Sequence, residues 1–309
     1  MTRTGGASVC RFAHFAMGTT FELLLCHRKE DYGRQVSQAV FAEIDRIENL
    51  FSRFNPCSEI GQVNRLQPGQ SMMIGVETYE CLKTALWVYS QTSGAFDINI
   101  GSLIKCKEDK VVKRLRSSSS IRKHMGVSRT PRGYRVSISP GSKNIETGPV
   151  DLDLGGIGKG YALDKTLNIL SDWSIDSALI HGGTSTALAV GSPPQSYSEK
   201  KGWAVGIGGN WNCQKVKREF LLRDRALSGS GTEVKGEHIL DPRTGEPAKG
   251  HLAAWVSSPS AAVSDALSTA FMVMTTEEVE SFCNSHPEVW ALVIIDPQTC
   301  EVFNQNIAL

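Results

Sequence analysis

The sequence predicts an α+β fold of mixed sheets and helices, and three observations carry that expectation. Strand-like and helix-like stretches are both present, they run in groups instead of alternating β with α, and no stretch repeats. Composition agrees: 309 residues with 40% apolar and 21% charged side chains can bury a core and match no disordered, collagenous or coiled-coil chain. Lys and Arg number 33 against 32 Asp and Glu, a net charge of +1, so no global field draws the chain to nucleic acid or anionic lipid. No run approaches the ~18–20 apolar residues of a membrane span, and the N-terminus shows no apolar secretory core. The expectation is a cytoplasmic protein with no membrane insertion and no nucleic-acid partner. Eight cysteines without a C-x-x-C pair argue against a zinc ribbon or a disulfide scaffold.

Residues 1–16 are rich in Gly, Ser and Arg without periodicity and read as a disordered tail, which leaves 17–309 as the domain. Phe21, Leu23 and Leu25 alternate as in a strand; Val36, Val40, Ile44, Ile47 and Phe51 recur at helical spacing up to the turn at 55–58. A second helix spans 77–91. The basic, Ser-rich stretch 105–148 reads as a solvated loop or helix face. Strands are expected at 134–139 and 150–154 and a helix at 159–171, followed by short strands at 177–180, 187–190, 203–207 and 216–222. Helices at 262–274 and 277–284 and strands at 290–295 and 300–303 complete the chain.

The chain holds 29 Gly, about 9% against a usual ~7%, and their placement is informative. Asp151-Leu-Asp-Leu-Gly-Gly-Ile-Gly-Lys-Gly-Tyr-Ala-Leu-Asp164 runs from a strand through four glycines and a lysine into a helix. Glycines admit an anion close to backbone N–H groups, a helix N-terminus adds partial positive charge, and Lys159 adds a full one. A phosphate or pyrophosphate suits such a site, although neither a Walker A loop nor G-x-G-x-x-G fits the spacing. A glycine turn serving geometry alone is the alternative. Gly182-Gly183 repeats the device after a second strand. His238-Ile239-Leu240-Asp241-Pro242-Arg243-Thr244-Gly245 sets a proton-exchanging imidazole and a carboxylate three residues apart. Asp265 and Thr269, at i and i+4, share a helix face and offer two hard oxygens for Mg²⁺; alternatively Asp265 caps that helix.

In order, Met17-Gly-Thr19, Ser52-Arg-Phe54 with Ser58-Glu-Ile60 and Asn64, Gly94-Ala-Phe-Asp97, Asp153 to Ala162, Gly182-Gly183, His238 to Gly245, and Ser264 to Thr269 resemble the ApbE family of FAD:protein FMN transferases. The resemblance implies the flavin transferase fold of that family, with a ligand cleft between two lobes. It implies Mg²⁺-dependent transfer of FMN from FAD to a Thr or Ser hydroxyl of an acceptor protein, with release of AMP. Asp265, Thr269 and the Gly158 carbonyl would hold the metal. Lys159, Asp153, Gly155 and Gly156 would meet the diphosphate, and Met17, Phe54, Ala95, Phe96, Asp97, Tyr161, Gly182, Gly183, Ile239 and Thr244 would border the nucleotide. His238 would take the acceptor proton, supported by Asp241. The acceptors of such enzymes carry a Ser/Thr-Gly-Ala-Ser/Thr core, which Ser93-Gly-Ala-Phe96 fails to match, so self-modification is not expected. An FAD diphosphatase and a flavin-binding protein without turnover are the competing readings.

Overall fold

The computed structural model describes residues 8–27, 29–108, 125–140, 150–195, 197–209, 211, 219–232 and 239–307. The centre of most of the basic stretch, 113–123, lies outside them, as does His238.

An eight-stranded sheet is the frame. Its strands are β1 (Ser8–Ala16), β2 (Thr19–His27), β6 (Ala178–Gly182), β7 (Thr186–Val190), β10 (Arg225–Gly231), β11 (Ala253–Ser258), β12 (Trp290–Ile294) and β13 (Cys300–Phe303), in that spatial order. Every neighbouring pair is antiparallel, the arrangement an α+β chain favours over a doubly wound one. A three-stranded sheet joins β3 (Ser71–Ile74), β5 (Gly133–Ile138) and β4 (Met125–Thr130) in that order, and β8 (Trp203–Gly206) pairs with β9 (Glu219–Leu222). The helices are α1 (Glu30–Phe51), α2 (Glu59–Val63), α3 (Val76–Gln91), α4 (Gly101–Glu108), α5 (Gly158–Asp172), α6 (Ala261–Val273) and α7 (Thr276–Ser285).

The period-2 pattern of β2 places Phe21, Leu23 and Leu25 on one face, fully buried under the buried stripe of α1. That core continues through α5 and α6. The opposite face of the sheet carries Leu179, Ala189, Leu227, Trp290 and Leu292, covered by Trp203 and Leu222 of the β8–β9 hairpin and by Trp211. Over its central strands both faces of the sheet are therefore covered. Cys300, in β13, is disulfide-bonded.

Two expectations are corrected. Residues 8–16 are not tail but the edge strand β1, in register with β2 from Ser8↔His27 to Ala16↔Thr19. Cys10 and Phe12 pack against the core from one face while Arg11, Ala13 and Phe15 occupy the other, so the alternation is real but diluted by polar residues, as on many edge strands. Residues 150–154 are extended without joining a sheet. Their backbone is satisfied by loops on either side: Asp153 N–H donates to Ile98 O at 2.7 Å, Leu152 N–H to Asn64 Oδ1 at 2.7 Å and Asp151 N–H to Asn99 Oδ1 at 2.8 Å. The segment thereby bridges the part of the chain carrying α2 and α4 to the body around α5. The Ser/Gly-rich strand β10, a stretch to which the sequence assigned no element, pairs on both sides, because α6 packs flat on it and leaves room for small side chains.

Candidate active site

The turn after residue 154 is shaped by Asp153. Its Oδ1 accepts the Gly155 N–H at 2.7 Å, and its Oδ2 lies 3.2 Å from Arg53 Nη1. A Cβ on Gly156 would stand 3.2 Å from Phe96 Cε2 and 3.2 Å from Thr269 Oγ1, so glycine there lets the loop pass between an aromatic ring and a hydroxyl. The next turn begins α5. Gly160 N–H donates to Asp265 Oδ2 at 3.1 Å, and Lys159 Nζ reaches Gly155 O at 3.1 Å and Asp265 Oδ2 at 3.5 Å. A Cβ on Gly160 would fall 2.1 Å from Ala261 O. Close helix contact is what delivers Asp265 to the loop.

Asp265 does not cap α6. Ser260 is the N-cap, its hydroxyl accepting the Val263 N–H, and Asp164 of α5 accepts from Ala261 N–H at 2.7 Å, Ala262 N–H at 3.0 Å and the Ser260 hydroxyl at 2.7 Å. Burial raises the Asp164 pKa, opposed by those same hydrogen bonds. With the cap supplied from another helix, the Asp265 carboxylate, 3% exposed, is free to face Lys159 and the loop. Thr269 Oγ1 is 3.5 Å from Ser230 Oγ, which in turn is 2.9 Å from Ser268 Oγ.

A second group of predicted residues gathers at the same end of the sheet. Met17 (φ 49°) and Gly18 (φ 70°) form the tight β1–β2 turn. Beside it, Gly183 N–H donates to Thr20 O at 2.8 Å, and a Cβ on Gly183 would lie 2.4 Å from Thr19 Oγ1. Hydroxyls carry the line onward: Thr186 Oγ1 is 2.7 Å from Ser228 Oγ, two residues before Ser230. Ala95, Phe96 and Asp97 are buried, Asp97 Oδ1 accepting the Asn99 N–H at 2.8 Å. Phe54 is 84% exposed, with the Arg53 guanidinium 5.0 Å from its ring centroid.

Other predicted residues are placed differently. The Tyr161 hydroxyl donates to Glu80 Oε2 at 3.0 Å, its ring packs 5.3 Å from Phe51, and burial pushes its pKa up; it faces α3 and the core, not the loop. A Cβ on Gly158 would face Leu154 and Phe51, and its N–H donates to Leu154 O at 2.7 Å, while a Cβ on Gly156 is the one that would stand against Thr269. The Asp241 carboxylate is engaged by Arg243, accepting its backbone N–H at 2.8 Å and its Nε–H at 3.1 Å. Arg243 also reaches Glu278 Oε1 at 3.0 Å and Val273 O at 3.2 Å. This fastens the turn 241–245, where Glu246 N–H donates to Thr244 Oγ1 and Ile239 packs against the core, to the α6–α7 junction. Arg53, Asp164 and Ser230 were not assigned from sequence. Arg53 and Asp164 lie inside the motifs that drew attention, whereas Ser230 sits on a strand whose composition concealed it.

A profile of the ApbE family matches residues 17–293. The chain belongs to the ApbE family. Among its relatives, an FAD:protein FMN transferase of Treponema pallidum is 26% identical over 83% of this chain and 76% of its own length. A second, from Chlamydia pneumoniae, is 25% identical over 92% and 89%. The crystal structure of the ApbE protein of Thermotoga maritima superposes with a TM-score of 0.76 at 26% identity, covering 97% and 98% of the two chains. The flavin transferase ApbE of Vibrio cholerae gives 0.80 at 19% identity over 96% and 97%, a likeness that speaks for the fold.

ApbE membership raises the question of a cation. Among the described residues no three His, Cys, Asp or Glu form a metal-holding cluster. One buried carboxylate, one hydroxyl and a nearby glycine backbone are hard oxygen donors, and such a sparse set suits Mg²⁺, which keeps waters and substrate phosphate oxygens as its other ligands.

Proposed function

We propose that this chain is a Mg²⁺-dependent FAD:protein FMN transferase. The observation that carries the reading is the convergence on Gly156 of Phe96 and Thr269, one helical turn from Asp265, beside Lys159 and the loop N–H groups. The names of the full-length relatives support the same activity. In the reaction, the oxygen of a Thr or Ser hydroxyl on the acceptor attacks the FMN-side phosphorus of FAD. The phosphorus–oxygen bond to AMP breaks, AMP departs with the bridging oxygen, and the hydroxyl proton passes to a base. His238, outside the described residues, is our candidate base, with Asp241 and Arg243 holding the adjoining turn.

Lys159 and the N–H groups of the glycine loop receive the diphosphate, while Met17, Gly182, Gly183, Phe54, Ala95, Phe96 and Asp97 border the nucleotide's ring systems. Asp265 and Thr269 would hold Mg²⁺ together with the backbone carbonyl of Gly158. When bound, the cation neutralises diphosphate charge and stabilises the leaving phosphate. The acceptor is proposed to present a Ser/Thr-Gly-Ala-Ser/Thr core. Cytoplasmic residence remains part of the proposal; no helix among the described residues is long and apolar enough to cross a membrane.

Incubation with FAD, Mg²⁺ and an acceptor bearing that core tests the reading. Covalent flavin with AMP supports transfer; free FMN with AMP makes the protein a diphosphatase; unchanged FAD overturns both.

A further inference from the structure

We infer that Arg53 is a positioning residue of the nucleotide site, acting through Asp153 and Phe54 without touching the reacting atoms. The inference rests on the transferase reading and says how that site holds FAD. Arg53 lies in the turn just after α1, and its side chain is 10% exposed. Its Nη1 stands 3.2 Å from Asp153 Oδ2, yet has no aligned hydrogen-bond acceptor among the described residues. Sequestering a guanidinium for one imperfect ion pair is a poor way to gain stability, because desolvation offsets much of the attraction.

Its neighbours supply a different reason. The other oxygen of Asp153 holds the Gly155 N–H at 2.7 Å, so the carboxylate is stretched between a cation and the first glycine peptide of the loop, and its orientation sets that peptide. The guanidinium also lies over the Phe54 ring, 5.0 Å from its centroid. Phe54 is 84% exposed, an apolar ring with open surface beyond the guanidinium that a planar ring of a ligand can stack on. One side chain thus ties an aromatic platform to an anion-binding loop from a distant part of the sequence and fixes their separation. Lysine keeps the charge but has neither the planar face nor the fork that this double contact uses.

FAD binding, measured by flavin fluorescence and calorimetry with Mg²⁺ present, tests this on Arg53→Ala, Arg53→Lys, Asp153→Ala and the Arg53→Ala/Asp153→Ala pair, with thermal melting alongside. Arg53→Ala is expected to weaken FAD binding about tenfold or more, with kcat at saturating FAD close to that of the parent. Arg53→Lys is expected to melt like the parent and still bind FAD weakly. The double variant should lose no more than the worse single one. Parent-like affinity in Arg53→Lys, or additive losses in the double variant, overturns the inference, and Arg53→Lys decides should Arg53→Ala fail to fold. A parent that binds FAD without turnover sinks the transferase reading alone; a parent that binds no FAD sinks both.

Discussion

Lys159 Nζ stands 3.5 Å from Asp265 Oδ2 and 3.1 Å from Gly155 O, so the lysine serves as an internal cation on the carboxylate proposed to hold Mg²⁺. A divalent ion arriving there meets an ammonium that must move away, and an FAD diphosphate gives that ammonium somewhere to go. Lys159→Met should therefore bind Mn²⁺ about tenfold more tightly than the parent when FAD is absent, a gain of ~1.4 kcal/mol, and bind FAD more weakly. Mn²⁺ titration followed by electron paramagnetic resonance reads this directly. Unchanged Mn²⁺ affinity would mean that the ammonium does not compete.

Asp265 itself is the sharper probe of the metal proposal. Asp265→Asn keeps the size of the side chain and an oxygen for the Gly160 N–H but removes the charge. Activity should fall by more than the ~10–100-fold typical of perturbing a group behind the ligands. Transfer at the parent rate in this variant would end the assignment.

The cap that α5 lends to α6 predicts a stability effect away from the ligand. Asp164→Ala strips acceptors from two N–H groups and one hydroxyl, at an expected cost of about 2 kcal/mol. A urea midpoint within error of the parent would show that water replaces the cap without loss.

Gly160→Ala tests the helix contact. Its Cβ would fall 2.1 Å from Ala261 O, so α5 and α6 must separate, costing about 1–3 kcal/mol or more. Because the Gly160 N–H also holds Asp265, FAD binding and melting temperature should drop together. A loss in melting temperature with unaltered FAD affinity would separate the two roles.

A pH dependence comes from His251, 5% exposed and tied through Nδ1 to Phe271 O and through Nε2 to Thr276 Oγ1 at 3.1 Å. Burial lowers its pKa below the usual 6.5, against the opposing pull of the Phe271 carbonyl and Glu277. The unfolded chain takes up this proton first as pH falls. The contribution is thus complete above pH 6.5 and is lost as pH drops toward the folded pKa. Denaturation midpoints of the parent should decline over that window, and His251→Gln should flatten the slope. An equal slope in both would assign the dependence elsewhere.

The long amphipathic helices were legible because their periodicity is strong: α1, α3, α5 and α6 lie within a few residues of their expected spans except at the start of α1. What the sequence concealed follows from tertiary packing. β10 is Arg-Ala-Leu-Ser-Gly-Ser-Gly, a loop by propensity, and becomes a central strand because α6 and Trp255 crowd it; a Cβ on Gly229 would lie 2.6 Å from Trp255 Nε1. In the site, the motifs draw attention to the glycine loop and Asp265, whereas Tyr161, counted with the ligand, turns its hydroxyl to Glu80 and its ring to Phe51, since a motif does not say which face of α5 a side chain occupies. The partnership of Asp153 with Arg53 spans a hundred residues and leaves no local trace.

Of the thirteen residues of α6, the helix that carries Asp265 and Thr269, eleven are buried. Local fraying therefore has little to act on there, and the amides of 265–269 should exchange with deuterated solvent only when the whole molecule opens. The two proposed metal ligands should thus lie among the slowly exchanging residues. Any motion needed to admit FAD or an acceptor must come from the turns facing them, at Met17, Phe54 and 241–245, while the helix stays still.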